Sequence, residues 1–421
     1  MDRNLKVLVS AYACGPGKGS ESGVGWNWVR EISQFCELWV VTRSNNREPI
    51  DQALAREPLP NVHWVYFDLP RWARLWKRGH RGVHLYYYLW QAGIYLLARS
   101  LHKEVGFDLV HHATFANYWM PSFLALLPVP FIWGPVGGGE SAPKTLYGTL
   151  GIRGRMREHL RDLARGAARG DAFLRMTAKR AQIALAATSE TAHRMRDLGA
   201  RQIRILSQVA LPPEDLERLS AVPVRYHHPF RLVSIGNLLP FKGFHFGLIA
   251  FSKFLQKFPD SEYWVIGNGL ERQRLEAIAK DHGVTEKVRF FGSLPRDQVL
   301  NLLGECDVLV HPSLHDSGGW VCLEAMAAGR PVICLDLGGP AFLIGEDAGF
   351  KVRARDTQGA LEGLTTAMLR LAGDSDLRAR MGEAGRTRVQ TEYCWKSKGR
   401  ALFEIYRTIA AERVCSLQQT R

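Results

Sequence analysis

The stretch from Asp307 to Leu335 constrains the fold more than any other part of the chain. An apolar run, Asp307-Val-Leu-Val-His311, leads into Ser313-Leu-His-Asp-Ser-Gly-Gly-Trp-Val-Cys-Leu-Glu-Ala-Met-Ala-Ala-Gly-Arg-Pro-Val-Ile333, and a second apolar run, Pro331-Val-Ile-Cys-Leu335, closes it. This pattern predicts strand, Gly-bearing loop, helix and strand, which is a parallel crossover unit. Its first strand delivers Asp316 at the carboxyl end, and Gly318 and Gly319 let the backbone approach a ligand. The helix that follows points free N–H groups at an anion, so the loop reads as a phosphate seat. Glu324 falls about one and a half turns into that helix, among small and apolar residues, where a carboxylate needs a partner.

The same alternation runs through the rest of the chain and predicts an α/β protein with doubly wound sheets. Lys6-Val-Leu-Val-Ser-Ala-Tyr12 reads as a first buried strand, followed by the Gly-rich stretch Cys14 to Trp26 and a helical pattern in Trp28, Val29, Ile32 and Phe35. The Gly-rich stretch fits either a loop whose amides meet a phosphate or sugar, or a tight turn without a ligand. Phe107-Asp-Leu-Val-His-His-Ala-Thr114 is a strand that carries His111 and His112, and alternation lets only one of them face a cleft. Pro130-Phe-Ile-Trp-Gly-Pro-Val-Gly-Gly-Gly-Glu140 ends in a turn, Gly137 to Gly139, that fits an acceptor-side wall or plain loop flexibility. In the second half, Gly236-Asn-Leu-Leu-Pro-Phe-Lys-Gly243 sets a lysine in a glycine-bordered strand-to-helix loop, a natural point charge for a diphosphate.

These residues resemble family 4 of the retaining glycosyltransferases. The resemblance runs from Ala13 to Tyr406 and is most specific between Ser313 and Val332: two acidic residues separated by seven, here Asp316 and Glu324, then Ala-Met-Ala, Gly and Pro-Val. The family usually has Glu at the first place, followed by Gly-Phe-Gly. It also carries Gly-Arg-x-x-x-x-Lys-Gly where this chain has Asn237 in place of the arginine and keeps Lys242-Gly243.

The resemblance implies the GT-B arrangement, two Rossmann-like domains facing a cleft. An N-terminal acceptor-binding domain would cover residues 1–210, a linker 211–229 and a nucleotide-sugar domain 230–394, with a helix at 395–421 crossing back after Trp395. The implied reaction is transfer of a sugar from a nucleotide diphosphate sugar to a polysaccharide, glycolipid or other hydroxyl acceptor, with retention. Asp316 would hold sugar hydroxyls, Glu324 the ribose, Lys242 with Gly318 and Gly319 the phosphates, and the turn of Ser293 and Leu294 the base. Asn237 lies at the donor site, His111 or His112 touches substrate, and Glu21, Gly23, Gly25 and Gly138 line the acceptor or phosphate loop. No metal or other cofactor is implied. A same-fold sugar-nucleotide epimerase and a basic membrane- or nucleic-acid-binding protein with a degenerate cleft are the rival readings.

Charge and cysteine usage narrow the setting. The formal net charge is +14, which asks for an anionic partner. Arg71 to Arg81 interleaves cations with tryptophans, His84 to Trp90 and Ile94 to Leu97 continue with aromatic and apolar residues, and Arg153 to Arg165 adds a basic helix. Such segments suit an anionic membrane surface, or else a helix with its aromatic stripe in a core. No window reaches the roughly 20 apolar residues that span a bilayer. The seven cysteines form no Cys-x-x-Cys pair and read as reduced core thiols. The chain is therefore expected to be cytoplasmic and peripheral on the inner membrane face, with a lipid-linked or glycan acceptor and no nucleic acid.

Overall fold

A computed structural model describes residues 5–17, 20–74, 82–223 and 229–419. Of the segment Arg71 to Arg81, residues 75–81 lie outside the described residues, as does Gly19 of the Gly-rich stretch. Thirteen strands form two parallel sheets among these residues. The first contains β1 (Leu5–Ala11), β2 (Cys36–Thr42), β3 (Val62–Tyr66), β4 (Leu109–Thr114), β5 (Phe131–Val136), β6 (Ala181–Ala186) and β7 (Ile203–Ile205), in the order β3-β2-β1-β4-β5-β6-β7. The second contains β8 (Phe230–Ile235), β9 (Ser261–Ile266), β10 (Val288–Gly292), β11 (Val308–His311), β12 (Val332–Leu335) and β13 (Gly349–Val352), in the order β10-β9-β8-β11-β12-β13.

The helices, in chain order, are α1 (Ser20–Ile32), α2 (Arg47–Leu54), α3 (Val83–Val105), α4 (Gly151–Ala168), α5 (Ala172–Arg180), α6 (Ser189–Asp197), α7 (Pro213–Ser220) and α8 (Phe244–Phe254). They continue with α9 (Arg272–Asp281), α10 (Arg296–Gly304), α11 (Trp320–Ala327), α12 (Gly338–Ile344), α13 (Thr357–Gly373), α14 (Ser375–Glu392) and α15 (Trp395–Gln419). Several start on a side-chain cap. Asp171 accepts the Phe173 and Leu174 N–H groups, Thr188 that of Thr191, Asp356 that of Gly359 and Asp374 that of Leu377.

Strands β4, β5, β11 and β12 are buried at every position, which explains why they read as continuous apolar runs rather than alternating ones. Chain order reverses between β1 and β4 in one sheet and between β8 and β11 in the other. In an open parallel sheet the loops at such a switch point diverge and leave a crevice beyond the strand ends. Both stretches singled out for ligand chemistry, after β1 and β4 and after β8 and β11, leave from these two places.

The chain divides into two compact units. Unit 1 holds residues 1–139, 163–208 and 395–421, and unit 2 holds 140–162 and 209–394. This differs from a first domain running unbroken to residue 210, because Ala142, Leu146, Tyr147 and Leu150 belong to the same apolar cluster as Phe246, Phe251 and Val310. The stretch 211–229, read as a linker, also contains α7. Pro212 precedes the helix, Pro213 opens it, Glu214 and Asp215 stand in its first turn, and Leu219 is buried, all features of a docked helix.

The core of unit 1 absorbs most of the aromatic segment: Tyr86, Tyr87, Trp90 and Ile94 of α3 are fully buried, with Tyr87 stacked on Phe115 at 4.3 Å. Trp395 of α15 meets Trp28 edge to face at 5.2 Å. Five of the six described cysteines are buried and all six are free thiols, while Cys415 lies beyond the described side chains. No described helix is long and apolar enough to cross a membrane.

Candidate functional site

The corner where β8 and β11 end in unit 2 collects most of the nominated residues. The loop after β8 passes Asn237, makes a tight turn at Pro240–Lys242 and reaches Gly243 at φ +67°. A Cβ on Gly243 would run into the Pro312 carbonyl, so the lysine loop and the end of β11 approach as closely as backbones can. The Leu314 N–H donates to the Phe241 carbonyl at 2.8 Å and ties them together.

Lys242 Nζ is thereby brought into an ion pair with Asp316. His311 Nε2 lies 3.4 Å from the same carboxylate oxygen, and the Gly318 N–H donates to the other at 3.1 Å. Burial disfavours the charge on Asp316, but the Lys242 ammonium and His311 outweigh it and hold the carboxyl far below the usual range. Burial pushes the His311 imidazole down. Three donors thus converge on one anion at a switch point of the sheet. Asp316 also accepts the Gly339 N–H on its main-chain oxygen, at 2.7 Å.

Two carboxylates that sequence reasoning missed hold the residues on either side of Asp316. Ser317 Oγ donates to Glu140 Oε2 at 2.5 Å, and His315 Nε2 lies 2.9 Å from Glu158 Oε1, with the His315 ring stacked on Phe241 at 4.4 Å. Both glutamates are buried and both come from residues 140–162 of unit 2.

Glu324 lies inside α11 and is only 6% exposed. Burial pushes its carboxyl up, and the Arg296 guanidinium, 2.7 Å away, pulls it back towards the charged form. Arg296 opens α10 and also reaches Asp215 of α7 at 2.6 Å. The turn directly before it carries Ser293, exposed, and Leu294, packed at the edge of the apolar cluster. Asp316 and Glu324 therefore belong to two different ion pairs. Asn237 is exposed, its main-chain carbonyl accepts the Leu239 N–H, and its side chain brings no cation to this place. Arg330, further along, is a structural residue whose Nη2 caps the Gly304 and Pro223 carbonyls.

In unit 1, the residues nominated around the first loop fall differently. The helix starts at Ser20, so Glu21, Gly23 and Gly25 lie on α1 and not in a loop before it. Gly25 is there for proximity: a Cβ would strike the Ala13 carbonyl oxygen. The Gly23 carbonyl accepts the Asn27 amide at 2.9 Å. Glu21, whose carboxyl burial pushes up, accepts the Ala116 N–H.

His111 and His112 on β4 are both buried, and burial pushes each down to about 4. His111 is closed off, since its Nε2–H donates to the Gly134 carbonyl at 2.5 Å and its Nδ1 accepts the Tyr406 hydroxyl at 2.6 Å. His112 uses Nε2–H on the Phe115 carbonyl at 3.2 Å and leaves Nδ1 without a hydrogen-bond partner. Gly138 adopts φ +88°, and its carbonyl accepts Arg165 at 2.8 Å. Gly139 packs so tightly on Thr191 that a Cβ could not fit. The glycine run is a packing device at least as much as a loop wall. Among the described residues no group of three or more His, Cys, Asp and Glu side chains is arranged to hold a metal ion.

Residues 216–388 match glycosyl transferases group 1. The chain is 31% identical over 183 residues to a D-inositol 3-phosphate glycosyltransferase of Corynebacterium urealyticum, covering 42% of each chain. It is 32% identical over 207 residues to the lipopolysaccharide core biosynthesis glycosyltransferase LpsE of Rhizobium meliloti, covering 47% of this chain and 56% of the other. The chain thus spans about half the length of the curated relatives it matches.

Among solved structures, a sucrose-phosphate synthase of Thermosynechococcus elongatus aligns over 97% of this chain and all of its own, with a TM-score of 0.64 at 18% identity. HepE of Anabaena, in complex with UDP and glucose, aligns over 96% and 100%, with a TM-score of 0.59 at 17% identity. These likenesses show the same two-sheet α/β fold. The stretch that matches glycosyl transferases group 1, residues 216–388, includes the corner of Lys242, Asp316 and Glu324.

Proposed function

We propose that this chain transfers a sugar from a nucleotide diphosphate sugar to a hydroxyl of a glycan or lipid-linked acceptor, with retention at the anomeric carbon. The observation that carries the reading is the convergence of Lys242, His311 and the Gly318 N–H on one anion at the β8/β11 switch point. Lys242 and the Gly318 N–H rest on the Asp316 carboxylate in the free chain, and on donor binding they would turn to the departing diphosphate and stabilise the charge that develops there.

In this reading Lys242 and the amides of Gly318 and Gly319 hold the phosphates. Asp316 holds hydroxyls of the transferred sugar, Glu324 those of the ribose, and the turn of Ser293 and Leu294 the base. The acceptor oxygen forms its bond to the anomeric carbon on the face from which the phosphate leaves, and the acceptor proton passes to the departing phosphate oxygen. The chain's task is positioning and charge stabilisation, with no protein nucleophile and no metal-dependent step. Within unit 1, His112 offers Nδ1 to a substrate hydroxyl. The charge of +14 supports work at an anionic membrane surface, on its inner face.

Calorimetric binding and slow hydrolysis of UDP-, GDP- and ADP-sugars by the protein, beside Glu324→Ala, test this. One nucleotide sugar is expected to bind, and the variant to lose it. Failure of every member of the panel to bind would sink the proposal, and an inverted anomeric proton signal in the product would overturn retention.

A further inference from the structure

Helix α4 is turned inside out for a helix at a protein surface. Its buried positions are Gly154, Glu158 and Arg165, whereas Ile152 is 76% exposed, Met156 60%, Leu160 63% and Leu163 69%. The apolar four stand at i, i+4, i+8 and i+11, which is one continuous stripe about 16 Å long at the rise of a helix. The inward face is polar because its charges are satisfied: Glu158 by His315, and Arg165 by the Gly138 carbonyl and the Trp119 ring, 5.5 Å away. Folding therefore leaves the large apolar side chains of this helix in water, the reverse of the usual amphipathic arrangement.

The charges beside the stripe have one sign. On the helix surface Arg153 and Arg157 flank it on one side and Arg155 on the other, and all three are exposed. Of the two carboxylates of α4, Glu158 is buried, and Asp162 is half-buried and accepts the Tyr147 hydroxyl at 2.8 Å. A second copy docking on this face would bring the same arginines against these. An anionic bilayer supplies the opposite charge, takes up Ile, Leu and Met side chains, and lets guanidinium groups stay at the head-group level.

We propose that the outward stripe of α4, Ile152, Met156, Leu160 and Leu163 with Arg153, Arg155 and Arg157, seats this protein on an anionic lipid surface. The proposal deepens the membrane part of the functional reading and rests on that part alone. It names an element distinct from the aromatic segment of α3, whose rings are spent on the core.

The test is co-sedimentation of the full chain with phosphatidylcholine vesicles, with and without phosphatidylglycerol, at low and high salt. The wild type is compared with Met156→Glu/Leu160→Glu and with Arg153→Gln/Arg157→Gln. All these side chains point into solvent, and circular dichroism checks that each variant is folded.

Binding is expected only with phosphatidylglycerol, weakening as salt rises. The glutamate pair is expected to lower it at least tenfold and the glutamine pair about tenfold or more. Nucleotide-sugar binding, measured on the same preparations, is expected to stay as in the wild type. Its loss in every protein while vesicle binding persists would strike the transferase reading and leave this one standing. A wild type that ignores phosphatidylglycerol, or variants that bind as it does, overturns the proposal. So does a dimer in sedimentation velocity that the glutamate pair dissolves, since the face would then belong to a second copy.

Discussion

Arg296 opposes the burial that raises the Glu324 carboxyl. Burial inside α11 pushes Glu324 up, and the guanidinium 2.7 Å away pulls it back towards the charged form, with Asp215 keeping the guanidinium in place from the other side. An ionised carboxylate accepts two ribose hydroxyls, whereas a protonated one does not accept as well. Arg296→Met is expected to weaken nucleotide-sugar binding by about ten- to a hundredfold, roughly 1–3 kcal/mol. Arg296→Lys should recover part of it, and calorimetry at pH 7 and pH 8 reads both. Loss of binding should be larger at the lower pH in the methionine variant, because burial then raises the Glu324 carboxyl without the guanidinium to oppose it. Glu324 itself was legible in the sequence through its spacing from Asp316. Arg296 and Asp215 were not, since each comes from a separate helix and neither belongs to a fixed-interval pattern with Glu324.

The Asp316 loop shows the same division at the level of elements. Strand, loop and helix could be read directly, because apolar runs, adjacent glycines and an Ala-rich helix each follow local rules. The buttress could not: Glu140 and Glu158 sit more than 150 residues from Ser317 and His315, with separations of 177 and 157. Helix α1 misled for a related reason. Its Gly23 and Gly25 look like a loop until the Ala13 carbonyl that Gly25 must clear is in view. The same blindness applied to α7, whose prolines read as linker although proline is at home in a first helical turn. If the buttress positions Asp316, then Glu158→Gln and Glu140→Gln should each lower kcat about tenfold or more while KM for the donor changes less, because a displaced loop costs transition-state alignment before it costs affinity. Equal loss in both constants, with a lowered melting temperature, would reduce the two glutamates to packing.

Across the whole molecule the two doubly wound sheets were legible from the alternation of strands and helices, and the wiring between the units was not. Buried histidines give both units a shared acid sensitivity. Burial holds His111 and His112 at about 4 and His245 at about 3, against 6.5 for an ordinary imidazole. Below about pH 6.5 the unfolded chain takes up protons that the folded chain refuses, so their contribution to stability is complete above that pH and is lost as pH falls, at up to about 1.4 kcal/mol per pH unit for each ring. Glu21 and Glu324, whose carboxyls burial raises, act in the opposite sense. The histidine share is therefore read as the difference in unfolding midpoint between wild type and His245→Gln from pH 8 to pH 5, which should narrow as pH falls. The core of unit 2 includes Leu146, Tyr147 and Leu150, so a fragment of residues 209–394 is expected to be insoluble or molten by near-ultraviolet circular dichroism, although it contains the whole family match. The chain passes from one unit to the other at 139/140, 162/163, 208/209 and 394/395. A gene with this wiring resists modular shuffling: a second unit exchanged at a single breakpoint arrives without part of its own interior, and only a graft made at all four junctions carries a complete one.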